Sequence, residues 1–475
     1  MKKLIACECP LDIIKEVRRI TDYDYCLVHL LDENLEYLQF FEESLKFGRR
    51  VILDNSIFEL GTAFDSDRFA NWVKKLRPTE YIIPDVLEDS EETVRSLHSW
   101  ISKYRNIQGV KIGVVQGKNY TDLVSCYQKI EPYVDKVAIS FNYSYYEELF
   151  PHPNKIISWS MGRLLLISRM LESKVINIKK PHHLLGCSSR YEFYYYSHEM
   201  YSFIETIDTS NPVVFGLLGM EYSDSNIFEK PEQKLITFFN NSIDSKQKSI
   251  IFDNIKQLRS LIDKKIYTYH FIYKTTNLIT NQIYVGQRFN CKYLNDGYIG
   301  CGVTCQKEAT ENIYFHNAIQ EYGYENFKRE IIEFLDNPED LDLREIFWIK
   351  ELNSHWTFGN YNMTWGGYSN NKNHPNKQEI YKKISNSLKG NIPWNKGKRG
   401  VYSEETLIKM RSRVISKETR EKLSNLLKNR KWSDEQRKKR RETFNRRPVR
   451  TCPYCGVQGR GSGIVRFHFN NCKLK

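Results

Sequence analysis

The sequence predicts a multidomain protein, in which a TIM-like (β/α)8 barrel precedes a small α+β domain, an extended helical tail and a short cysteine-rich segment. Three observations predict this organisation. Short apolar runs alternate with amphipathic helical patterns over roughly the first 260 residues, the alternation then stops, and the chain becomes strongly basic near residue 370. We therefore expect domains at 1–262, 266–368, 370–448 and 449–475.

The barrel prediction rests on the order of elements in residues 1–262. Apolar runs that end at Asp54, Asp85, Gln116 and Asp208 alternate with patterns such as SDRFANWVKKL and SEETVRSLHSWISKY. This alternation predicts a parallel sheet with helices outside it, and the number of repeats favours a closed barrel. An open doubly wound sheet would carry a glycine-rich phosphate loop after its first strand, and MKKLIACECPLD has none. A helical stretch near 252–265 is expected to link the barrel to the next domain.

The charge distribution indicates the class of partner. The chain has a net charge of +13, yet residues 372–475 alone hold 29 Lys/Arg and 8 Asp/Glu, so the remainder is mildly acidic. A polyanion, most simply double-stranded DNA, is the expected partner of the basic end. The sequence contains no run of about 18 apolar residues, so no membrane span is expected. Most of the 11 cysteines are scattered singly, which suits a reducing compartment and predicts a cytoplasmic protein.

The basic tail contains repeats that begin with serine. SEETLIKMR starts at Ser403, SKETREKLS at Ser416 and SDEQRKKRR at Ser433, and KQEIYKKIS at 377–385 resembles a fourth copy without the serine. Serine is a good N-cap, and acidic residues in a first turn match the helix dipole. We expect short helices laid along a phosphate backbone, each contributing part of the affinity. The alternative is a solvated charged tail.

Two tyrosines in HFIYKTTNLITNQIYVGQ (270–287) lie on a predicted hairpin. Tyr273 and Tyr284 are placed so that an antiparallel pair of strands can bring them to one face. By themselves they are equally consistent with two packed aromatic residues in a sheet. The motifs IYVGQ, AIQEYGYENFKREIIEF, REIFWIKELNS and YNMTWGG, in this order over about 266–368, resemble the GIY-YIG nuclease family. HFIY stands in place of GIY and YVG in place of YIG, whereas Tyr273, Tyr284 and Gly286 match.

The resemblance implies a phosphodiester-cleaving site. Such chemistry needs a water nucleophile, charge neutralisation and stabilisation of the leaving group. By resemblance Glu345 holds Mg²⁺, a hard cation that prefers oxygen ligands, and Tyr273, with Tyr284 beside it, orients or deprotonates the water. Asn362 matches an asparagine that supports the site. The alternative for Glu345 is a solvated helix carboxylate.

The phosphate-binding arginine of this family is less clearly matched. It normally lies about ten residues after the second tyrosine, where the chain reads QRFNCKYLNDGYIGCG. Arg288 and Lys292 are the available cations, and the segment resembles a variant branch with a DGYxGxG block. We predict Arg288.

The C-terminal segment has metal-like spacing. Cys452 and Cys455 form one pair; after twelve intervening residues come His468 and Cys472, with three residues between them. Such a set can close a tetrahedron around Zn²⁺, and it resembles small fingers at the ends of phage-type nucleases. Metal binding is expected to drive folding of so short a segment, and Arg460 and Arg466 are expected to touch phosphate. The alternative is a set of free thiols.

Polar residues at strand ends of a barrel are candidates for chemistry. ILDNSIFE, IPDV, GVVQGK and LLGCSSRYEF…IETIDTSNP resemble the guanine transglycosylase superfamily over most of 1–220, nearest to phage-type members that exchange a DNA base for a 7-deazaguanine. The resemblance implies Asp208 as nucleophile, Asp54 as acid/base, and Asp85 and Gln116 as ligands of the base. The three-cysteine and histidine zinc site of the tRNA-modifying branch is not matched. For each strand-end aspartate, capping of the next helix is the alternative.

Several interpretations of the whole chain stay open at this stage. The first is a phage-encoded endonuclease joined to an active base-exchanging barrel. The second is a homing endonuclease whose barrel is inactive or structural. Others are a tRNA-guanine transglycosylase relative with an acquired nuclease tail, and a non-catalytic DNA-binding protein.

Overall fold

The computed structural model describes residues 2–231, 235–304, 314–367, 433–469 and 471–475, with positions 382 and 404. The chain divides into two compact units, 1–380 and 381–475. Three of the four serine-type repeats, at 377–385, 403 and 416, lie outside the described residues apart from those two single positions. No helix of the described residues is long and apolar enough to cross a membrane.

The first unit begins with eight parallel strands that form a nearly closed barrel. Hydrogen bonding runs in the order β2-β3-β4-β5-β6-β7-β8-β1, so among the described residues β1 and β2 do not pair and the barrel has one seam. The prediction of eight parallel strands with helices between them is confirmed. The strands are β1 Leu4–Ala6, β2 Asp24–Leu27, β3 Val51–Asp54, β4 Glu80–Ile82, β5 Val110–Val115, β6 Lys136–Ser140, β7 His182–Leu185 and β8 Ile204–Asp208.

Helices follow the strands, and several begin at a side-chain cap. Asp65, Asp89 and Asn119 each accept a hydrogen bond from a backbone N–H of the first turn. The barrel helices are α1 Ile14–Val17, α2 Val28–Glu33, α3 Leu35–Lys46, α4 Ile57–Leu60, α5 Ser66–Leu76, α6 Ser90–Lys103, α7 Tyr120–Ile130, α8 Tyr145–Leu149, α9 Lys155–Glu172, α10 Glu192–Tyr195, α11 Asn211–Leu217 and α12 Ser245–Asp263.

The stretch predicted as a linker is part of the barrel. Helix α12 packs on α11 and buries Ile251, Ile255 and Leu258. Asn254, also buried, ties α12 to the backbone carbonyls of Pro212 and Met220. The helix expected near 252–265 is therefore present and leads into β9, and its apolar side also packs into the barrel core.

A second, smaller sheet follows the barrel within the same unit. Strands β9 Tyr269–Asn277, β10 Ile283–Cys291 and β13 Phe327–Leu335 are antiparallel in the order β10-β9-β13, and β11 Tyr298–Gly300 pairs with β12 Val303–Thr304. Helices α13 Tyr314–Tyr322 and α14 Leu341–Glu351 accompany the sheet. One continuous apolar core includes barrel residues together with Tyr269, Phe271 and Leu294. The two predicted domains therefore share buried surface.

The second unit is small. Helix α15 Asp434–Asn445 begins at Ser433, whose hydroxyl accepts from the backbone N–H of Gln436 while the Gln436 side chain bonds back to Ser433. The predicted serine N-cap is thus confirmed for this repeat. Beyond it lie a hairpin of β14 Val449–Thr451 and β15 Gln458–Arg460, the short helix α16 Ser462–Ile464 and a π-helical turn, Val465–Phe469.

Candidate active sites and metal cluster

The two tyrosines of the β9–β10 hairpin lie side by side. Their ring centroids are 6.2 Å apart, and the strand register places Gly286 opposite Tyr273. A Cβ atom at Gly286 would lie 2.3 Å from the Tyr273 hydroxyl oxygen and 2.9 Å from Cε1 of Tyr284. Glycine is required here because the two phenol rings occupy the space that a side chain would fill.

The phenols are shielded from water to different degrees. Tyr273 is 1% exposed and packs against the ring of Tyr298, whereas Tyr284 is half-buried and stacks on Phe315. Burial raises the pKa of both tyrosines well above the usual value. Both are therefore protonated near neutral pH, which suits orienting a water or phosphate oxygen by hydrogen bonding rather than removing a proton.

Glu345 reaches the edge of the same strand from helix α14. Its Oε2 accepts hydrogen bonds from the Gly367 backbone N–H at 2.7 Å and from Gln287 Nε2 at 3.1 Å. Burial raises the pKa of Glu345, and its charge in turn contributes to the raised pKa of Tyr284. Glu345 thus bonds the tyrosine strand at Gln287 and interacts electrostatically with the partly exposed phenol of Tyr284, while Tyr273 is more deeply buried.

Asn362 holds the backbone of the tyrosine strand. Its Oδ1 accepts from the Val285 N–H at 2.8 Å, and its Nδ2 donates to the Val285 carbonyl at 2.7 Å. This pair of bonds replaces a missing strand neighbour for the residue between Tyr284 and Gly286. The geometry supports a role in positioning the tyrosine strand.

Arg288 continues the tyrosine face of β10, two residues beyond Gly286. Its guanidinium pairs with Asp296 and lies 4.1 Å from the centroid of the Tyr298 ring. Asp296 also pairs with Arg329 at 2.9 Å, so two guanidinium groups share one carboxylate and a positive charge remains. Lys292, the other candidate, lies against the Tyr293 ring. The structure places Arg288, through Tyr298, beside Tyr273.

The four polar residues predicted at the barrel strand ends all line one cavity of about 720 Å³. Asp54 ends β3 and Asp208 ends β8, and both are buried. The Gly186 N–H lies 3.2 Å from each Asp208 oxygen, and His183 Nε2 lies 3.0 Å from Oδ1. Asp54 accepts from the Ser56 N–H at 3.0 Å. Burial, together with the charges of Glu59 and Asp208, raises the pKa of Asp54.

Asp85 and Gln116 form a hydrogen-bonded pair in the cavity. Gln116 Nε2 donates to Asp85 Oδ2 at 2.6 Å, and Asn55 Nδ2 donates to Oδ1 at 2.8 Å. The side-chain oxygen Oε1 of Gln116 accepts from the Glu88 N–H at 2.9 Å. The pair is therefore fixed in orientation, as the edge-reading of a planar base would require.

The sequence analysis missed two acidic residues of the cavity, Glu8 and Glu59. Glu8 follows β1, and its pKa is raised by burial and by the charges of Glu59, Asp208 and Asp54. The strand-end rule would have found Glu8, since it comes two residues after β1. Glu59, on α4, carries no such signal, because only folding turns it toward the cavity.

Three of the four predicted zinc ligands form a cluster. The sulfur atoms of Cys452, Cys455 and Cys472 all lie within 4.8 Å of one another. His468 Nδ1 is 3.4 Å from the sulfur of Cys455, so the histidine borders the cluster at one thiol. Soft thiolates with one imidazole are a donor set that suits Zn²⁺. The cluster could hold such an ion.

Arg460 does not point away from the second unit. Its guanidinium donates to the carbonyl oxygens of Asn445 and Arg447, at the end of α15. It thereby joins the β14–β15 hairpin to the end of the preceding helix. Both bonds come from Nη1, so Nε and Nη2 are not engaged by these carbonyls, and phosphate contact by Arg460 and Arg466 stays a prediction.

Comparisons with known proteins point to nucleases. The NUMOD3 motif, a nuclease-associated motif, matches residues 373–411. From Enterobacteria phage T4, "Putative endonuclease segE" is 38% identical over 100 residues, which is 21% of this chain and 42% of that protein. "Putative endonuclease segD" is 30% identical over 148 residues, 30% of this chain and 61% of that protein. "Putative endonuclease segB" is 36% identical over 73 residues, 15% and 28% respectively. This chain thus spans less than two thirds of each relative.

Proposed function

We propose that the chain is a metal-dependent DNA endonuclease of the GIY-YIG type. The observation that carries the proposal is the arrangement around β10, where Tyr284, Gly286 and Arg288 share one face and Glu345 reaches the strand through Gln287. The similarity to proteins named as endonucleases and the NUMOD3 motif support it. The DNA substrate fits the 29 basic residues of 372–475.

The residues at Glu345 fit a hard divalent cation such as Mg²⁺. The carboxylate is buried and is held by two N–H donors on one oxygen, and oxygen is the donor that Mg²⁺ prefers. A Cβ at Gly366 would lie 3.2 Å from Oε2 of Glu345, so glycine leaves room beside the carboxylate. When bound, Mg²⁺ would neutralise phosphate charge and make a bound water more acidic.

The protein's own groups would do the positioning. Tyr284, partly exposed and protonated, would donate a hydrogen bond to the attacking water or to a phosphate oxygen. The buried ring of Tyr273 would pack against Tyr284 and Gly286 and hold them in place. Arg288 would bind the scissile phosphate. Asn362, bonded to both sides of the Val285 peptide, would keep these groups in register.

The basic tail would supply most of the DNA affinity. Helix α15, with its exposed cationic side chains, represents the serine-capped repeats. The thiol cluster would hold Zn²⁺ with Cys452, Cys455 and Cys472, and with His468 as the fourth ligand. A homing endonuclease with a structural barrel would share all of these features.

The nuclease proposal is tested by a cutting assay on duplex DNA with Mg²⁺. Glu345→Ala should abolish cutting and leave DNA binding unchanged, because the tail does not depend on this carboxylate. Glu351→Ala, on the exposed side of the same helix, is the matched control and should cut normally. Normal cutting by Glu345→Ala would remove the assignment. Binding without cutting by the unaltered chain would favour the non-catalytic DNA-binding alternative.

A second candidate activity, base exchange, is favoured by the barrel cavity. Asp54 and Asp208 lie in one pocket beside the fixed Asp85–Gln116 pair, as displacement of a base by a carboxylate nucleophile would need. A 7-deazaguanine would be the incoming base, and the nucleotide would have to leave its stack. Exchange of labelled guanine into DNA, with tRNA as a second substrate, is the test. Asp208→Asn should stop base exchange. The control Asp224→Asn, which changes an exposed aspartate, should not. If the unaltered chain shows no exchange, the barrel has a structural role only.

A further inference from the structure

The loop between β10 and β11 carries the carboxylate that holds Arg288. Asp296 pairs with the guanidinium of Arg288 and accepts from the Tyr298 N–H at 3.1 Å through its other oxygen. Arg329 of β13 bonds Asp296 at 2.9 Å and also donates to the Leu294 carbonyl. The position of Arg288 is therefore set by the position of this loop, residues 292–297.

The loop is captured by the barrel. Glu172, the last residue of α9, accepts from the backbone N–H of Leu294 at 3.1 Å and of Asn295 at 2.9 Å. Ser168, one turn earlier, donates its hydroxyl to the same carboxylate at 2.6 Å, which fixes its rotamer. The Leu294 side chain is fully buried in the core that the two domains share. The bonds to the Leu294 and Asn295 N–H groups are thus made by a side chain of the barrel.

The same helix also holds the barrel site. Arg163 of α9 donates to the carbonyls of Leu185 at 3.0 Å and Gly186 at 3.1 Å, and it pairs with the fully buried Glu192. The N–H of Gly186 points to Asp208. One 18-residue helix thus positions a residue of each candidate site.

We infer that Glu172, although it belongs to the barrel, is a positioning residue of the nuclease site and acts through the 292–297 loop and Asp296 on Arg288. The inference rests on the proposed nuclease function. It means that the barrel contributes to the nuclease site whether or not its own cavity is active, and that the small sheet alone would hold the phosphate-binding arginine less firmly.

The test is a double-mutant cycle in the full chain, measured as single-turnover cutting at saturating DNA. Glu172→Ala should slow cutting by about 10- to 100-fold, as expected for a displaced phosphate ligand, without weakening DNA binding. In an Arg288→Ala background the same change should have no further effect, because the group it positions is gone. Glu172→Gln, which keeps one oxygen acceptor, should lose less than Glu172→Ala.

Tyr191→Phe is the matched control. The Tyr191 hydroxyl donates to Asp336 at 2.5 Å and so also joins the barrel to the small sheet, but it does not touch the loop. It should leave the cutting rate unchanged in both backgrounds. If Glu172→Ala costs the same factor with and without Arg288, or if Tyr191→Phe couples to Arg288 equally, the inference is overturned, because Glu172 would then act only through general stability.

Amide hydrogen exchange separates this inference from the nuclease proposal. Peptides covering 292–298 should exchange faster in Glu172→Ala than in the unaltered chain, and their exchange rate should not change in Tyr191→Phe. This result does not depend on whether the chain cuts DNA. If the unaltered chain does not cut, the proposed function fails, and exchange still decides whether Glu172 holds the loop. If the exchange rate of these peptides is the same in Glu172→Ala as in the unaltered chain, the positioning role of Glu172 is refuted even if the chain is an active nuclease.

Discussion

Gly286→Ala tests how closely the tyrosine hairpin is packed. The new Cβ would lie 2.3 Å from the Tyr273 hydroxyl oxygen, 2.6 Å from Cζ and 2.9 Å from Cε1 of Tyr284, whereas ordinary contact begins at 3.4 Å. About 1 Å of displacement is therefore needed. Tyr273 cannot supply it by a simple rotation, because its ring is 1% exposed and is packed against Tyr298.

We expect two consequences of this substitution. Overpacking of a buried site costs about 1–3 kcal/mol of folding free energy, measured by urea denaturation of the full chain. Displacement of the phenols by about 1 Å should slow cutting by about 100-fold. Adding Tyr273→Phe to Gly286→Ala should recover part of the stability, since it removes the closest contact, but not the cutting.

Gly463→Ala serves as the control, because a Cβ there meets nothing within 4 Å and the residue is not in the left-handed region. It should change neither stability nor cutting. A Gly286→Ala chain with the stability and cutting rate of the unaltered protein would refute the argument, since the packing of the two rings would then be adjustable at no cost.

Three further predictions concern the barrel and the thiol cluster. Arg163→Leu should destabilise the fold by about 3–5 kcal/mol, because it leaves the buried carboxylate of Glu192 without its partner; adding Glu192→Leu should recover much of this in urea denaturation, and equal destabilisation by single and double variants would contradict it. Burial lowers the pKa of His182 to about 4. As pH falls from about 6.5 to 4, the unfolded chain therefore binds a proton that the folded chain does not, and the free energy of unfolding should drop by about 3 kcal/mol. In His182→Gln this part of the pH dependence should vanish, and a pH profile unchanged by the substitution would contradict the prediction. Cys455→Ser should remove the bound zinc measured by elemental analysis, whereas Cys301→Ser, outside the cluster, should retain it; zinc retained in Cys455→Ser would exclude the site.

The parts of the fold that rest on local pattern were predictable. The alternation of apolar strands and amphipathic helices identified the parallel barrel, because side-chain periodicity is set by backbone geometry within each element. Ser433 and the acidic residues after it predicted a helix start that the structure confirms. The rule that strand ends meet at one edge brought Asp54, Asp85, Gln116 and Asp208 together as candidates, and the structure places them in one cavity.

The features that depend on contacts between distant segments were not predictable. The sequence near 252–265 predicts a helix, but the partner of its apolar face, α11, is met only in the folded barrel. Likewise, nothing in the sequence near Arg460 shows that its guanidinium donates to the carbonyl oxygens of Asn445 and Arg447.

The sequence by itself determined which residue types were available for chemistry and on which elements they lie. Only the tertiary structure decided which of them touch. Glu172 bonds the 292–297 loop across 122 residues of chain, and Glu345 bonds Gln287 across 58. Such contacts follow from how helices and sheets pack around a shared core, and packing is a property of the whole chain rather than of any local pattern.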